Sequence, residues 1–333
     1  MIRRSTAPTL VDVAREAGVS LKTASRVLNN SSELNPATEK RVREAMARLD
    51  YRPNELARGL KARRSAAIGM IVPNLSDPFT ASTLQAVLTV ARARGYAVIF
   101  TSSSGDESLE KAELDLLVRR QIEGLIVAPA LGKKNYFRSI VGTRLPIVAF
   151  DQFVSDKSID CVTVNNREAA RTAVEHLLTH GKKKILAVGV RPDIYTCVER
   201  VAGYCEAMAA EKLPERVLLV EDEKDLTPEA IGKFFRKKDA PDAIFSLNWV
   251  ASMGTLRALR DLHGFGSMAF ISFDDFELAE MLSPALTVVR QPSAEMGRIA
   301  AELLFERLTG GRTVRKNVVL STEFHIRQSC GCS

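Results

Sequence analysis

Two groups of side chains in this 333-residue chain have types and spacing suited to recognition chemistry. The first lies in TLVDVAREAGVSLKTASRVLN, Thr9 to Asn29. Lys22 and Arg26 are donors that can reach guanine O6 and N7, and Leu21 can meet a thymine methyl. Thr23 and Ser25 suit phosphate oxygens, as do the helix starts at Thr9 and Ser20; Asn29 closes the set. The second group is dispersed: Asp77, Phe79, Asp151, Arg200, Asn248, Trp249 and Asp274. Carboxylates, an amide and a guanidinium around an aromatic plate are what a sugar needs. They give bidentate hydrogen bonds and an apolar face for stacking.

Each group must be held by an element. Thr9 with Asp12 is a capping-box-like start, and Leu10, Val13, Ala14 and Ala17 then recur at helical spacing. Gly18 supplies a sharp turn, Val19 plugs the angle, and Ser20 caps a second helix running to about Asn29. Ala24, Val27 and Leu28 face inward, which leaves the polar series outside. Asn35 and Pro36 begin a third helix with Val42, Ala45, Met46 and Leu49 as its stripe. The pattern predicts a helix-turn-helix with its second helix in a major groove.

Charge placement agrees. Residues 1–64 hold 14 basic and 7 acidic residues, while the remainder balances at 33 of each, so the whole net charge of +7 lies in the first fifth. A basic module on a neutral body is a nucleic-acid footprint.

The block continues as TASRVLNNSSELNPATEKRVREAMARLDYRPNELARGLKARRS. Here the chain resembles the lactose-repressor (LacI/GalR) family of bacterial transcription regulators along essentially its whole length. Ala24 departs from the usual Val at a core-facing position. The resemblance implies a small all-α helix-turn-helix DNA-binding domain plus an α/β two-lobed periplasmic-binding-protein-like domain with parallel sheets. The expected divisions are 1–52 for the DNA-binding domain, 53–64 for a hinge helix, and 65–333 for effector binding and dimerisation. The lobes are expected at about 65–163 with 292–321, and about 164–291 with 322–333.

A linker of about two turns is marginal as an isolated helix, and Gly59 weakens it further. Leu56 and Leu60 share a face. The resemblance implies that Leu60 wedges into the minor groove, that Leu56 meets its copy, and that Asn54, Ala57 and Arg58 lie beside them on DNA.

Beyond residue 65, IGMIVP, YAVIF, GLIVAPA, PIVAFD, KKILAVGV, RVLLVE, AIFSLN, MAFISFDD and LTVVRQP are strand-like runs, most of them separated by helix-length stretches. They predict parallel sheets covered on both faces, too many strands for one compact sheet. Ligands in such sheets lie beyond the strands' carboxyl ends, where the second group falls. Arg200 and Asp274 align best with the family's effector residues. Asp77, Phe79, Asn248 and Trp249 align more loosely, and Trp249 replaces the usual acidic residue. Asp275, Glu277 and Lys182 to Lys184 read as solvated surface.

Five scattered cysteines suit reduced cytosolic thiols, with the terminal Cys330-Gly331-Cys332 read as a solvated tail. His176 and His180 stand four apart with no third ligand nearby in sequence, so neither a metal nor a cofactor is expected. No run approaches membrane-spanning length, and no secretory signal begins the chain, which predicts a cytoplasmic protein at the nucleoid. The expected partners are a pseudo-palindromic double-stranded operator, a small sugar-like effector and a second copy of the chain. No leucine heptad follows RQSCGCS, which points to a dimer. The competing classes are a solute-binding protein, disfavoured by the basic module, and an α/β enzyme, for which no GxSxG, P-loop or GxGxxG appears.

Overall fold

The computed structural model describes residues 8–28, 35–51, 65–130, 137–142, 145–235, 240–261, 268–311 and 314–332. They form two compact units, Met1–Ser65 and Ala66–Ser333. Asn29 and the linker residues Asn54, Leu56, Ala57, Arg58 and Leu60 lie outside the described residues.

The first unit contains α1 (Leu10–Glu16), α2 (Leu21–Leu28) and α3 (Pro36–Arg48). The capping box at α1 is formed in full: Thr9 accepts from the Asp12 amide, and the Asp12 side chain accepts from the Thr9 amide. Gly18 takes a positive φ of 61°, a turn that a side chain would strain. Ser20 accepts from the Thr23 amide at 3.1 Å, and Asn35 accepts from Ala37 at 2.9 Å with Pro36 opening α3. Val13, Ala14, Ala17, Ala24, Val27, Val42 and Ala45 make one small core. Ala24 is fully buried in it, which is where its missing methyls are felt.

The second unit runs β1 (Ala67–Val72), α4 (Pro78–Ala93), β2 (Ala97–Ser102), α5 (Glu107–Arg119), β3 (Leu125–Val127), α6 (Phe137–Val141), β4 (Ile147–Phe150) and β5 (Asp160–Val164). It continues with α7 (Asn166–Thr179), β6 (Ile185–Val190), α8 (Tyr195–Ala210), β7 (Val217–Val220), α9 (Pro228–Phe235), β8 (Ala243–Ser246), α10 (Trp249–Asp261), β9 (Ala269–Phe273) and β10 (Thr287–Arg290). Last come α11 (Ser293–Leu308), β11 (Asn317–Leu320) and β12 (Glu323–His325). Two six-stranded sheets result, ordered β11-β5-β4-β3-β1-β2 and β12-β10-β9-β8-β6-β7. Every pairing is parallel except β10 with β12.

Burial on both faces explains the apolar runs. Alternate residues of β1 divide between two cores: Ile68, Met70 and Val72 meet α4 and α11, while Ile71 meets α5 and α6. In the second lobe Ile185 and Ala187 of β6 meet α7 and α8, while Leu186 and Val188 meet α9 and α10. The chain passes between lobes at 164–166, 290–293 and 320–323, between elements of the two sheets. Three strands had no counterpart among the expected runs. β5 carries buried Asp160 and Thr163, which interrupt its apolar run, and β11 and β12 are short, partly exposed edge strands.

Glycine sets the spacing of the helix pairs. A Cβ on Gly297 of α11 would run into the Thr83 carbonyl of α4, and one on Gly203 of α8 into the Arg167 carbonyl of α7. Gly297→Ala is therefore expected to lower the stability of the second unit by about 1–3 kcal/mol, because helix backbones rather than flexible side chains must shift. Chemical denaturation of the variant measures this; an unchanged midpoint contradicts it.

Candidate functional site

In the first unit, the outward face of α2 carries the predicted DNA-facing series. Leu21 is 50% exposed on that face. Lys22 is exposed, and Thr23, Ser25 and Arg26 are half-buried beside the buried Ala24 and Val27. Thr9 and Ser20 sit at the amino ends of α1 and α2, where amides point outward and favour anions.

The second unit holds a cavity of about 670 Å³ between its two sheets, at the carboxyl ends of the strands. All seven predicted effector residues line it: Asp77, Phe79, Asp151, Arg200, Asn248, Trp249 and Asp274. The fold gathers them because six follow a strand or open a helix over the cleft, while Arg200 reaches it from within α8. Asp77 caps α4 by accepting the Phe79 amide at 2.9 Å, and Asn248 caps α10 by accepting the Ala251 amide at 2.8 Å. Asp151 follows β4, Asp274 follows β9 and Trp249 begins α10.

Arg200 is the centre. It is 2% exposed, and its guanidinium lies 3.6 Å from the centroid of the Phe273 ring. Nε donates to Asn166 Oδ1 at 2.8 Å and Nη1 to the Leu247 carbonyl at 2.7 Å. Nη1 also stands 3.7 Å from Asp274 Oδ2. Asp274 in turn accepts the Trp249 amide at 3.1 Å and Gln291 Nε2 at 2.6 Å. Asp151 accepts Gln152 Nε2 at 2.7 Å, and the same amide reaches Thr196 Oγ1 at 3.2 Å.

The electrostatics are acidic. Burial, with the Asp274 carboxylate nearby, pushes the Asp77 carboxyl up to about 7. Burial also raises Asp151, opposed by the positive charge of Arg200. Asp106, Asp193, Glu221, Asp222 and Glu223 add to the lining, against two arginines. Acceptors are in surplus: Gln152 Oε1 and Gln291 Oε1 are buried without a protein partner. A molecule that fits must bring donors.

Backbone strain marks the same place. Asp151, Arg191 and Asp274, each the first residue after a strand, have φ of 62°, 59° and 77°. Such left-handed non-glycine residues concentrate at functional sites. Sequence reasoning missed Arg191, Gln152, Gln291 and Thr196. The available signal was position, since Arg191, Gln152 and Gln291 each follow a strand within two residues. Arg191 spans the lobes: its Nη2 donates to the Ala130 carbonyl at 2.9 Å, and the Ala130 amide donates to buried Glu110 at 2.7 Å. Gly105 has a φ of 70°, and a Cβ there would strike the Arg191 guanidinium.

Asp275 corrects its expectation. Rather than solvated surface it is a clamped anion, 2.9 Å from Arg290 Nη2 and 3.2 Å from Arg327 Nη1, with its side chain 9% exposed. The strand β10 and the segment after β12 bring those arginines to it, which the local sequence does not display.

Known proteins agree with this architecture. Residues 9–54 match the model for bacterial regulatory proteins of the lacI family. Residues 65–328 match that for periplasmic binding proteins and the sugar-binding domain of the LacI family. The chain is 31% identical to catabolite control protein A of Priestia megaterium, covering 96% of this chain and 98% of that one. It is 29% identical to the HTH-type transcriptional repressor PurR of Aliivibrio salmonicida, with the same coverage of 96% and 98%. A complex of the transcriptional regulator CelR with cellobiose is 28% identical, with a TM-score of 0.70 over 97% of this chain and 99% of that one. A lac repressor dimer bound to operator and the anti-inducer ONPF shares the fold, with a TM-score of 0.86 at 22% identity over 98% and 99% of the two chains. With a capped helix-turn-helix ahead of a two-sheet cleft, matched over residues 9–54 and 65–328, this chain belongs to the lacI family of bacterial regulatory proteins.

Proposed function

We propose that the chain is a sequence-specific repressor whose operator affinity is set by a neutral, hydroxyl-rich carbohydrate bound between its two lobes. The observation that carries the carbohydrate is the imbalance of the cleft. Three carboxylates and two orphaned amide oxygens surround one buried guanidinium. Hydroxyl groups supply the missing donors, and Trp249 and Phe79 offer apolar faces to a sugar ring. The same lining repels phosphosugars and sugar acids. In this reading Arg200 and Asp274 hold adjacent hydroxyls, Asp77, Asp151 and Asn248 take others, and Arg191 ties the lobes in their closed arrangement.

Toward DNA, Lys22, Arg26 and Leu21 read bases, and Thr9, Ser20, Thr23 and Ser25 hold phosphates. Residues 53–64 join the DNA-reading helices to the ligand-binding lobes in sequence, so the effect of ligand on DNA binding passes along them. Ligand that fixes the angle between lobes thereby sets whether Leu56 and Leu60 engage. A dimer supplies the two half-sites; the exposed Leu278 and Met281, at 58% and 73%, are apolar surface that a second copy would cover. Among the described residues no helix is long and apolar enough to cross a membrane, and the site of action is the nucleoid in the cytoplasm.

A thermal-shift comparison tests the ligand class. Neutral sugars at about 1,000 times their Kd add about 4 kcal/mol, and phosphosugars add nothing. Stabilisation by phosphosugars alone defeats the reading. The pH dependence follows from Asp77. Its folded pKa lies above its unfolded value, so the folded cleft binds the extra proton between about pH 4 and about pH 7. That contribution favours the fold at low pH and is lost as pH rises through about 7. Asp77→Asn keeps a capping side chain. The variant should gain stability relative to wild type as pH rises from about 5 to about 8, and parallel melting curves would contradict this.

A further inference from the structure

The tail Cys330-Gly331-Cys332 is not a solvated one. Cys330 is fully buried in the second lobe's core, and Cys332 packs against the same core. Cys332 meets His176, in the last turn of α7, and His180, its C-cap residue, 156 and 152 residues away in sequence, and Cys330 lies beside His176 and Cys332. Cys332 Sγ lies 3.1 Å from His180 Nε2, 3.5 Å from His176 Nε2 and 3.2 Å from Cys330 Sγ. The ligand atoms of His176, Cys330 and Cys332 all fall within 4.8 Å of one another.

We propose that His176, His180, Cys330 and Cys332 form a tetrahedral zinc site that fastens the end of the chain to α7. Zinc bonds of about 2.3 Å to sulfur and about 2.0–2.1 Å to nitrogen place tetrahedral ligand atoms about 3.3–3.8 Å apart. The three separations from Cys332 Sγ lie within about half an ångström of that range; His176, Cys330 and Cys332 already stand together, and the exposed His180, which touches Cys332 alone of the two sulfurs, closes in to complete the four. Two imidazoles and two sulfurs are the donor set of structural zinc sites, and thiolate excludes the hard cations calcium and magnesium. Two thiolates cancel the dication, so the bound site is neutral and suits a half-buried position. Binding transfers both thiol protons to solvent, and each sulfur then donates its lone pair to the metal.

The scaffold is already in place around these donors. His176 lies in the last turn of α7 and His180 follows four residues later as its C-cap, the two rings 4.6 Å apart between centroids. The His176 ring packs edge-on to Phe324 of β12, with centroids 5.1 Å apart. Ser329 pins the tail: its hydroxyl donates to the Phe270 carbonyl at 2.5 Å and accepts the Thr287 amide at 2.8 Å, while its carbonyl accepts the Phe270 amide at 2.7 Å. Gly331 has a φ of 95°, a conformation that favours glycine and brings Cys330 and Cys332 to one side. The cluster sits at the amino end of β9 and the carboxyl end of α7, the opposite end of the lobe from the carbohydrate cleft. It therefore stands apart from ligand recognition.

The test uses the full chain, stripped with a chelator and kept reduced. Zinc added at micromolar concentration is expected to bind one ion per chain and to raise the melting temperature. Cobalt(II) in its place should give the visible bands of a tetrahedral ion and a thiolate charge-transfer band. Cys332→Ser and His180→Ala, both at accessible positions, should each weaken zinc binding by more than the ~10–100-fold lost with an outer-shell partner. Cys205→Ser, a thiol outside the cluster, should bind as wild type does. No zinc uptake by the reduced wild-type chain overturns the proposal. So does uptake that Cys332→Ser and His180→Ala leave unchanged.

Discussion

Carbohydrate binding falls by roughly 30-fold to more than 1,000-fold when Arg200 becomes methionine, which is about 2–5 kcal/mol. The side chain fits the space but removes a buried charge whose partners stay behind. Asn166 Oδ1 and the Leu247 carbonyl lose their donors, and Asp274 loses its only cation within 4 Å among the described residues. Each buried acceptor left without a partner costs about 1–3 kcal/mol, so folding stability drops as well. Arg200→Lys separates charge from shape: it restores a cation but lacks the planar fork that meets Asn166 and Leu247 together, and it should recover only part of the affinity. Calorimetric titration on the 66–333 unit reads all three proteins. Affinity of the methionine variant within about threefold of wild type would remove Arg200 from the ligand's contacts.

Removing residues 1–65 is expected to abolish operator binding and leave carbohydrate affinity at its full-length value. The cut follows the boundary between the two compact units, and each of the two has its own core. The separated part also takes with it the net charge of +7 carried by residues 1–64. Full-length binding should fall steeply with salt, as counterion release requires, whereas the remaining unit is electrically balanced and has no such term. Sequence-specific DNA retention by 66–333 in a mobility-shift assay would place recognition outside α2.

What could be read from sequence differs between the two units for a physical reason. Caps and helix periodicity are local. The reciprocal bonds of Thr9 and Asp12, the left-handed Gly18, and the pairing of Asn35 with Ala37 therefore all follow from neighbours in the chain. The cleft is assembled from loops far apart in sequence, yet most of its lining was legible because a strand's end fixes where those residues stand; Arg200, inside α8, was legible only through the family resemblance. What stayed hidden depends on which loops face each other. Nothing near Arg191 announces Ala130 or Gly105, and nothing near Asp275 announces Arg327. The histidines of α7 likewise looked like a pair lacking a third ligand until the fold returned the chain's end to them. The strand β5 escaped because buried Asp160 and Thr163 interrupt its apolar run, and β11 and β12 because they are short, partly exposed edges.

The central claim is that one ligand in the cleft changes what the helix-turn-helix unit does on DNA. The direct measurement is operator affinity of the full chain, on a site selected from random duplexes, with and without saturating carbohydrate. It is made for wild type and for Arg200→Met. Wild type should shift by about 5- to 150-fold, the range of ordinary allosteric coupling. The variant should match wild type without ligand and show a clearly smaller shift at a ligand concentration that just saturates wild type. Equal operator affinity of wild type with its cleft filled and empty, or an undiminished shift in the variant, would contradict the account.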